Sequence, residues 1–151
     1  MITTLSLVKT LARLYDLSGE GLPDNSLGSI GDVYMDKLNG LTYEKTGETT
    51  WTPDTSSDLL IELSIQRAER DYLAIRGKAF DIDEDENAIY PDGADFTAAE
   101  MVCYILDLGD YEGRGKQSES VAGRNVAMEA KLHGYPWAIA GGIERYSNGA
   151  W

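Results

Sequence analysis

The chain is poor in the residues on which most catalysis rests. Its 151 residues include one histidine, His133, and one cysteine, Cys103. A single cysteine excludes an intramolecular disulfide. Cys103 lies in the apolar run Met101-Val102-Cys103-Tyr104-Ile105-Leu106, which predicts a buried small hydrophobe rather than a reactive thiol, because a thiolate needs an exposed, electropositive setting. His133 stands between Leu132 and Gly134 with no Ser or Cys motif beside it, so it makes a poor general base. Glycine is plentiful, but no strand is followed by a glycine-rich turn carrying Lys-Ser/Thr, which excludes a P-loop. No enzyme activity, metal or cofactor is expected. Apolar runs are short of the 18 or so residues of a membrane span. The start, Met1-Ile2-Thr3-Thr4-Leu5, lacks the basic and apolar regions of a secretory signal. A soluble intracellular protein is the default expectation.

Basic residues are also scarce. Thirteen Lys and Arg face 26 Asp and Glu, a formal charge of −13, which excludes a free DNA-phosphate binder. The imbalance is uneven. Residues 1–112 carry 8 bases and 23 acids, a net of −15, whereas residues 113–151 carry 5 bases and 3 acids, a net of +2. Such asymmetry marks one end for a partner that the rest does not meet. Apolar content of 42% supports a modest core in one domain.

Leu7, Leu11 and Leu14 at helical spacing predict a first helix over 4–17, capped by Thr3 or Thr4 and ended by Gly19 and Gly21. Residues 22–52 read as a β-meander inserted into a helical core formed by 1–21 and 53–108. Its strands are Asp32–Met35, Leu41–Lys45 and Thr49–Thr52, with Asn39-Gly40 as the hairpin turn. A three-stranded piece is marginal alone, so Tyr34, Tyr43 and Trp51 are expected to pack together or against the helices. Thr55 and Asp58 fit a capping box opening a helix over 56–76, with Leu60, Leu63, Ala68, Tyr72 and Ile75 on its apolar stripe and Gly77 as its stop. A third helix starts at Asp95 or Thr97 and runs to about Leu108. Residues 109–134 read as a flexible loop and arm, and residues 136–147 as a short last helix opened by Pro136. The fold class expected is mostly α: a small helical bundle with an inserted three-stranded meander, an extended C-terminal arm and a short terminal helix.

Two stretches stand out as candidate binding surfaces. Asp81, Asp83, Asp85 and Asn87 alternate, with Asp92 eleven residues after Asp81, in the manner of an EF-hand loop. Glu86 replaces the glycine of the sharp turn, however, and Asp92 replaces the bidentate Glu. A solvated acidic loop fits better, with an acidic calcium-dependent binding module as an alternative. The segment 135–151 crowds Tyr135, Trp137, Tyr146 and Trp151 together with Ile143. Trp and Tyr concentrate at interface hot spots, so these five residues are candidates for partner contact.

The order of elements resembles the head–tail connector (adaptor) proteins of long-tailed phages and prophages. The resemblance is carried by Tyr90-Pro91, the helix Ala98–Leu106, Lys116-Gln117-Ser118-Glu119-Ser120, and Tyr135-Pro136-Trp137 through Tyr146, and covers residues 1–20 and about 55–147. The segment 22–52 departs from it and is similar to a small glycine, tyrosine and tryptophan module of tail-fibre and other virion proteins. The resemblance implies a ring, usually dodecameric, beneath the portal protein at the virion neck. Such a ring extends the DNA channel and offers a platform for a stopper or tail protein. It further implies that Tyr135, Trp137, Ile143, Tyr146 and Trp151 meet the portal. Ser118, Glu119, Ser120, Val121 and Val126 would form an inter-subunit arm, and acids such as Asp81, Asp83, Asp85 and Asp92 would let DNA slide by without specific binding. A stopper or tail-terminator ring component is the alternative within the same channel.

Overall fold

The computed structural model of the chain describes residues 1–107 and 131–146, together with the backbone of residues 116–119 and 126–128. Helix α1 spans Leu5–Leu11. Strands β1 (Leu17–Gly19), β2 (Val33–Asp36), β3 (Leu41–Gly47) and β4 (Thr50–Pro53) follow, then α2 (Asp58–Arg76), the short strands β5 (Asp81–Ile82) and β6 (Ala88–Ile89), and α3 (Ala94–Leu106). Strands β7 (Lys116–Glu119), β8 (Val126–Met128), β9 (Lys131–Leu132) and β10 (Tyr135–Pro136) precede a single helical turn, α4 (Trp137–Ala140).

The expectation of a mostly α fold is overturned. Of the described residues, 35% are helical and 21% lie in strands, and a four-stranded mixed sheet makes this an α/β protein. The sheet has the order β1-β2-β3-β4. Its added strand is β1, which pairs in parallel with β2 through Leu17↔Tyr34 and Gly19↔Asp36. Sequence pattern runs the first helix to Leu17, the first residue of this strand, and takes Gly19 as part of its stop. That helix stops at Leu11, six residues early, because Arg13 turns the chain at a φ of 54° and Leu14 donates its N–H back to the Lys9 carbonyl. The Thr4 hydroxyl caps the start of α1 by accepting from the Leu7 N–H.

Two separate apolar interiors result. The helical one gathers Val8 and Ala12 of α1, Ile61, Ile65, Ala68, Tyr72 and Ile75 of α2, the α3 face containing Ala98, Met101, Val102 and Cys103, and Ile139 and Ile143. The sheet has its own, built on Tyr34 and Met35, with the Tyr34 and Trp51 rings 5.9 Å apart. Cys103 is fully buried, as its apolar setting predicts.

The core face of α2 differs from the predicted stripe. Ala68, Tyr72 and Ile75 are buried, but Leu60 and Leu63 are 57% and 53% exposed, and Ile61, Ser64 and Ile65 replace them inside. At 100° per residue, the buried set and the pair Leu60/Leu63 lie on different faces, and only the first continues through Ala68 and Tyr72. The predicted capping box is absent as well. Ser57 is the N-cap without a side-chain bond, and Asp54 closes the turn before it by accepting from the Ser56 N–H and hydroxyl. Asp58 turns instead to Lys9. At the other end Gly77 stops α2 in the left-handed region, φ 72°, as expected.

Candidate interaction surfaces

The sheet is organised by buried polar side chains. Asp36, fully buried, accepts from the N–H groups of Gly21, Leu38 and Asn39 and from the Asn39 amide. The Asn39 amide, aided by those N–H groups, holds its carboxyl below the ordinary range against the opposing pull of burial. Lys45 is 3% exposed. Its ammonium donates to the carbonyls of Asn25, Leu27 and Gly28 and lies 5.6 Å from the Trp51 ring centre. The Trp51 indole N–H donates to the Asp24 carbonyl, and the Tyr34 hydroxyl to that of Gly21. The long connection 20–32 is therefore held to the sheet by Lys45, Tyr34 and Trp51, the residue types that marked this segment in the sequence.

Sheet and helices meet at one polar joint. Lys9 of α1 donates to the Thr42 hydroxyl of β3 and pairs with Asp58 at the start of α2, while the Thr42 hydroxyl donates to the Asp54 carbonyl. Gly40 sits against Ser6, where an added Cβ would come within 2.8 Å of the serine Cβ.

The acidic loop is a hairpin. Strands β5 and β6 pair as Asp81↔Ile89 and Ile82↔Ala88. Asp83 closes its tip by accepting from the N–H groups of Asp85 and Asn87, bonds that hold its carboxyl low. Every residue from 81 to 89 is exposed, including Ile82 at 65% and Ile89 at 52%. Pairing Asp81 with Ile89 straightens the segment that an EF-hand would wrap around an ion, and Asp92 falls beyond the hairpin. Among the described residues, no group of three or more His, Cys, Asp or Glu could hold a metal ion.

The predicted C-terminal contact residues part company. Tyr135 is buried, 6.2 Å from the Tyr104 ring, and its hydroxyl donates to Asp71 at 2.5 Å. Burial first, then that carboxylate, drives the Tyr135 phenol far above its usual range. Ile143 is buried in the helical core. Only Trp137–Ala140 of the expected last helix is helical; the chain then returns to α2, and the Tyr146 N–H donates to the Arg76 carbonyl. The Arg76 guanidinium lies between the Phe80 and Tyr146 rings, at 5.5 and 5.2 Å. Tyr135, Ile143 and Tyr146 thus hold the segment to its own chain. Of the predicted contact residues that are described, Trp137 is the exposed one, 44% accessible beneath the Arg145 guanidinium. Trp151 lies outside the described residues.

In the arm, β7 and β8 form an antiparallel pair with the register Glu119↔Val126 and Ser118↔Ala127. Ser120 and Val121 lie outside the described residues. His133 stands at the β9–β10 turn with φ 52°. It lines an open cleft of about 430 Å³ with Arg67, Tyr104, Ile105, Asp107, Gly134 and Tyr135. The lining offers an imidazole and a carboxylate but neither Ser nor Cys. Sequence reasoning missed this cleft, because its walls come from α2, the end of α3 and the β9–β10 turn.

No described helix is long and apolar enough to cross a membrane. No protein-family model, no curated protein and no solved structure matches the chain.

Proposed function

We propose that the protein is a structural head–tail adaptor of a phage virion. In this reading copies of the chain assemble as a ring beneath the portal, extend the DNA channel and seat a stopper or tail protein. The observation that carries the reading is the antiparallel strand pair β7–β8, lying between α3 and the Tyr-Pro segment. That is where the resemblance to connector proteins puts an inter-subunit arm. Main-chain hydrogen bonds of such an arm supply pairing between neighbours. The charge distribution agrees with it: an acidic body repels the DNA passing through, while the basic balance of 113–151 offers a different surface to a partner. Trp137, exposed on a segment anchored to the core, supplies an aromatic anchor for the portal.

The test is the mass of the purified chain, alone and mixed with the portal protein of the same genome, by light scattering. The expected result is a free chain of 16.6 kDa that becomes part of a much larger stoichiometric complex with the portal. No association with the portal would overturn the reading.

A further inference from the structure

Among the described residues, nothing covers one face of α2. Leu59, Leu60 and Leu63 are 68%, 57% and 53% exposed, and Arg67 and Arg70 continue the same face toward the C-terminus, also exposed. A surface helix of a monomer turns its polar face outward; here three leucines point to solvent, followed by two cations in a chain of net charge −13. Elsewhere the hairpin β5–β6 projects with none of its residues 81–89 covered. It carries Ile82 near its base and five acids, Asp81, Asp83, Glu84, Asp85 and Glu86, without one base. An isolated two-stranded hairpin is marginal in water, so an uncovered one with an exposed isoleucine on each face is suited to contact.

The two surfaces match in chemistry: exposed leucines next to two cations on one, an exposed isoleucine next to a cluster of acids on the other. Leu63 to Arg70 spans about 10 Å at 1.5 Å per helical residue. Beyond Ile82 the hairpin turns at Asp83, so that Glu84, Asp85 and Glu86 lie together at the tip. With Ile82 on Leu63, the acids of the tip reach Arg67 and Arg70. We propose that the occupant of the α2 face is the β5–β6 hairpin of a second copy of this chain. The contact joins two different patches, so it is heterologous. It repeats from copy to copy and closes a ring when the rotation allows. This inference rests on the adaptor reading and supplies one of the contacts that hold its ring.

The test is directional cross-linking with two full-length variants, Leu63→Cys and Ile82→Cys. The native Cys103 is buried and stays silent in both. Oxidation is run on the free chains at high concentration and on chains bound to the portal. A disulfide-linked dimer from the mixture, with neither variant linking to itself, is the expected result. Glu84→Lys with Asp85→Lys in the Ile82→Cys chain should lower the yield about tenfold. Arg67→Glu with Arg70→Glu in the Leu63→Cys chain should restore it. No mixed dimer in either state, self-linking of Leu63→Cys alone, or failure of the charge exchange to restore the yield would overturn the contact. A portal complex that forms without the cross-link keeps the adaptor reading and discards this interface. Cross-linking without portal binding does the reverse.

Discussion

The Lys9 ammonium lies 2.5 Å from the Asp58 carboxylate, and this pair joins three elements that are distant in sequence. Lys9 is 4% exposed and also holds Thr42 of β3. Removing one partner of a buried pair leaves an uncompensated charge, at about 3–5 kcal/mol when both are fully buried. The Asp58 side chain is 23% exposed, so Lys9→Met should cost about 2–3 kcal/mol in urea unfolding. The double variant Lys9→Met/Asp58→Leu should recover at least half of that loss. Additive losses in the double variant would show that the two groups do not act as a pair.

Lys45 makes a different prediction, because its partners are main-chain carbonyls. Lys45→Met keeps the stem and removes the ammonium, leaving the carbonyls of Asn25, Leu27 and Gly28 without it. Amide exchange across residues 20–32 should accelerate by one to two orders of magnitude, about 1.4 kcal/mol per tenfold, while the α2 and α3 amides keep their protection. Unchanged exchange in the loop would show that the strands alone hold it.

Buried phenols set the alkaline limit of stability: burial raises Tyr72, and Tyr90 and Tyr135 are raised more strongly. Burial and the Glu69 carboxylate raise Tyr90 to about 12, and burial with Asp71 raises Tyr135 further. A phenol whose folded pKa exceeds its unfolded value of 10.0 stays protonated in the folded state after the unfolded chain has released its proton. The contribution of both tyrosines is complete below pH 10 and is lost as pH rises from there through the folded values. Stability should fall steeply between pH 10 and 12 in urea titrations followed by circular dichroism. Tyr135→Phe should shallow that slope and cost about 1–2 kcal/mol at pH 7, where Asp71 loses its buried donor.

Gly77 ends α2 with φ 72°, and a Cβ there would approach the Tyr146 carbonyl oxygen to 2.8 Å. Gly77→Ala should cost about 1–2 kcal/mol for the left-handed backbone, with the added clash loosening the return of residues 143–146. Exchange of the Tyr146 amide, which donates to Arg76, should rise more than that of the α3 amides. Equal effects at both places would remove the link between the helix stop and the C-terminal segment.

Trp137 separates binding from folding. It is 44% exposed, with the Arg145 cation over its ring as a local partner. Trp137→Ala should therefore cost at most about 1 kcal/mol of stability, yet on the proposed adaptor reading it should weaken portal association by more than about thirtyfold, as loss of a 2 kcal/mol hot spot does. Full-strength association by the variant would place the anchor elsewhere.

What could be read in the sequence follows from how local each signal is. Asn39-Gly40, the Gly77 stop and the apolar run around Cys103 are set by near neighbours, and the structure keeps all three. The parallel pairing of β1 with β2 is not local: Leu17 and Tyr34 meet across a connection held by Lys45, and no nearby residue announces it. Leu14 completed a plausible helical stripe, so residues 12–17 read as helix and the sheet lost a strand. In α2 two apolar faces overlap near its start, and the choice between Leu60/Leu63 and Ile61/Ile65 depends on where α1 and α3 lie. Among the candidate contact residues, Tyr135, Ile143 and Tyr146 have the composition of an interface, but composition alone does not say whether the partner is another chain or the same one.

The buried polar groups of the sheet answer one another, Asp36 with the turn, Lys45 with the 25–28 carbonyls, Trp51 with Asp24. Such a unit is a cassette. A gene could gain or lose it between α1 and α2 without stranding polar atoms in the helical body, with one exception. Lys9 belongs to the helices and is half answered by the sheet. A chain lacking the cassette would keep the Lys9–Asp58 pair and lose only the Thr42 bond, so positions 9 and 58 would change together or not at all.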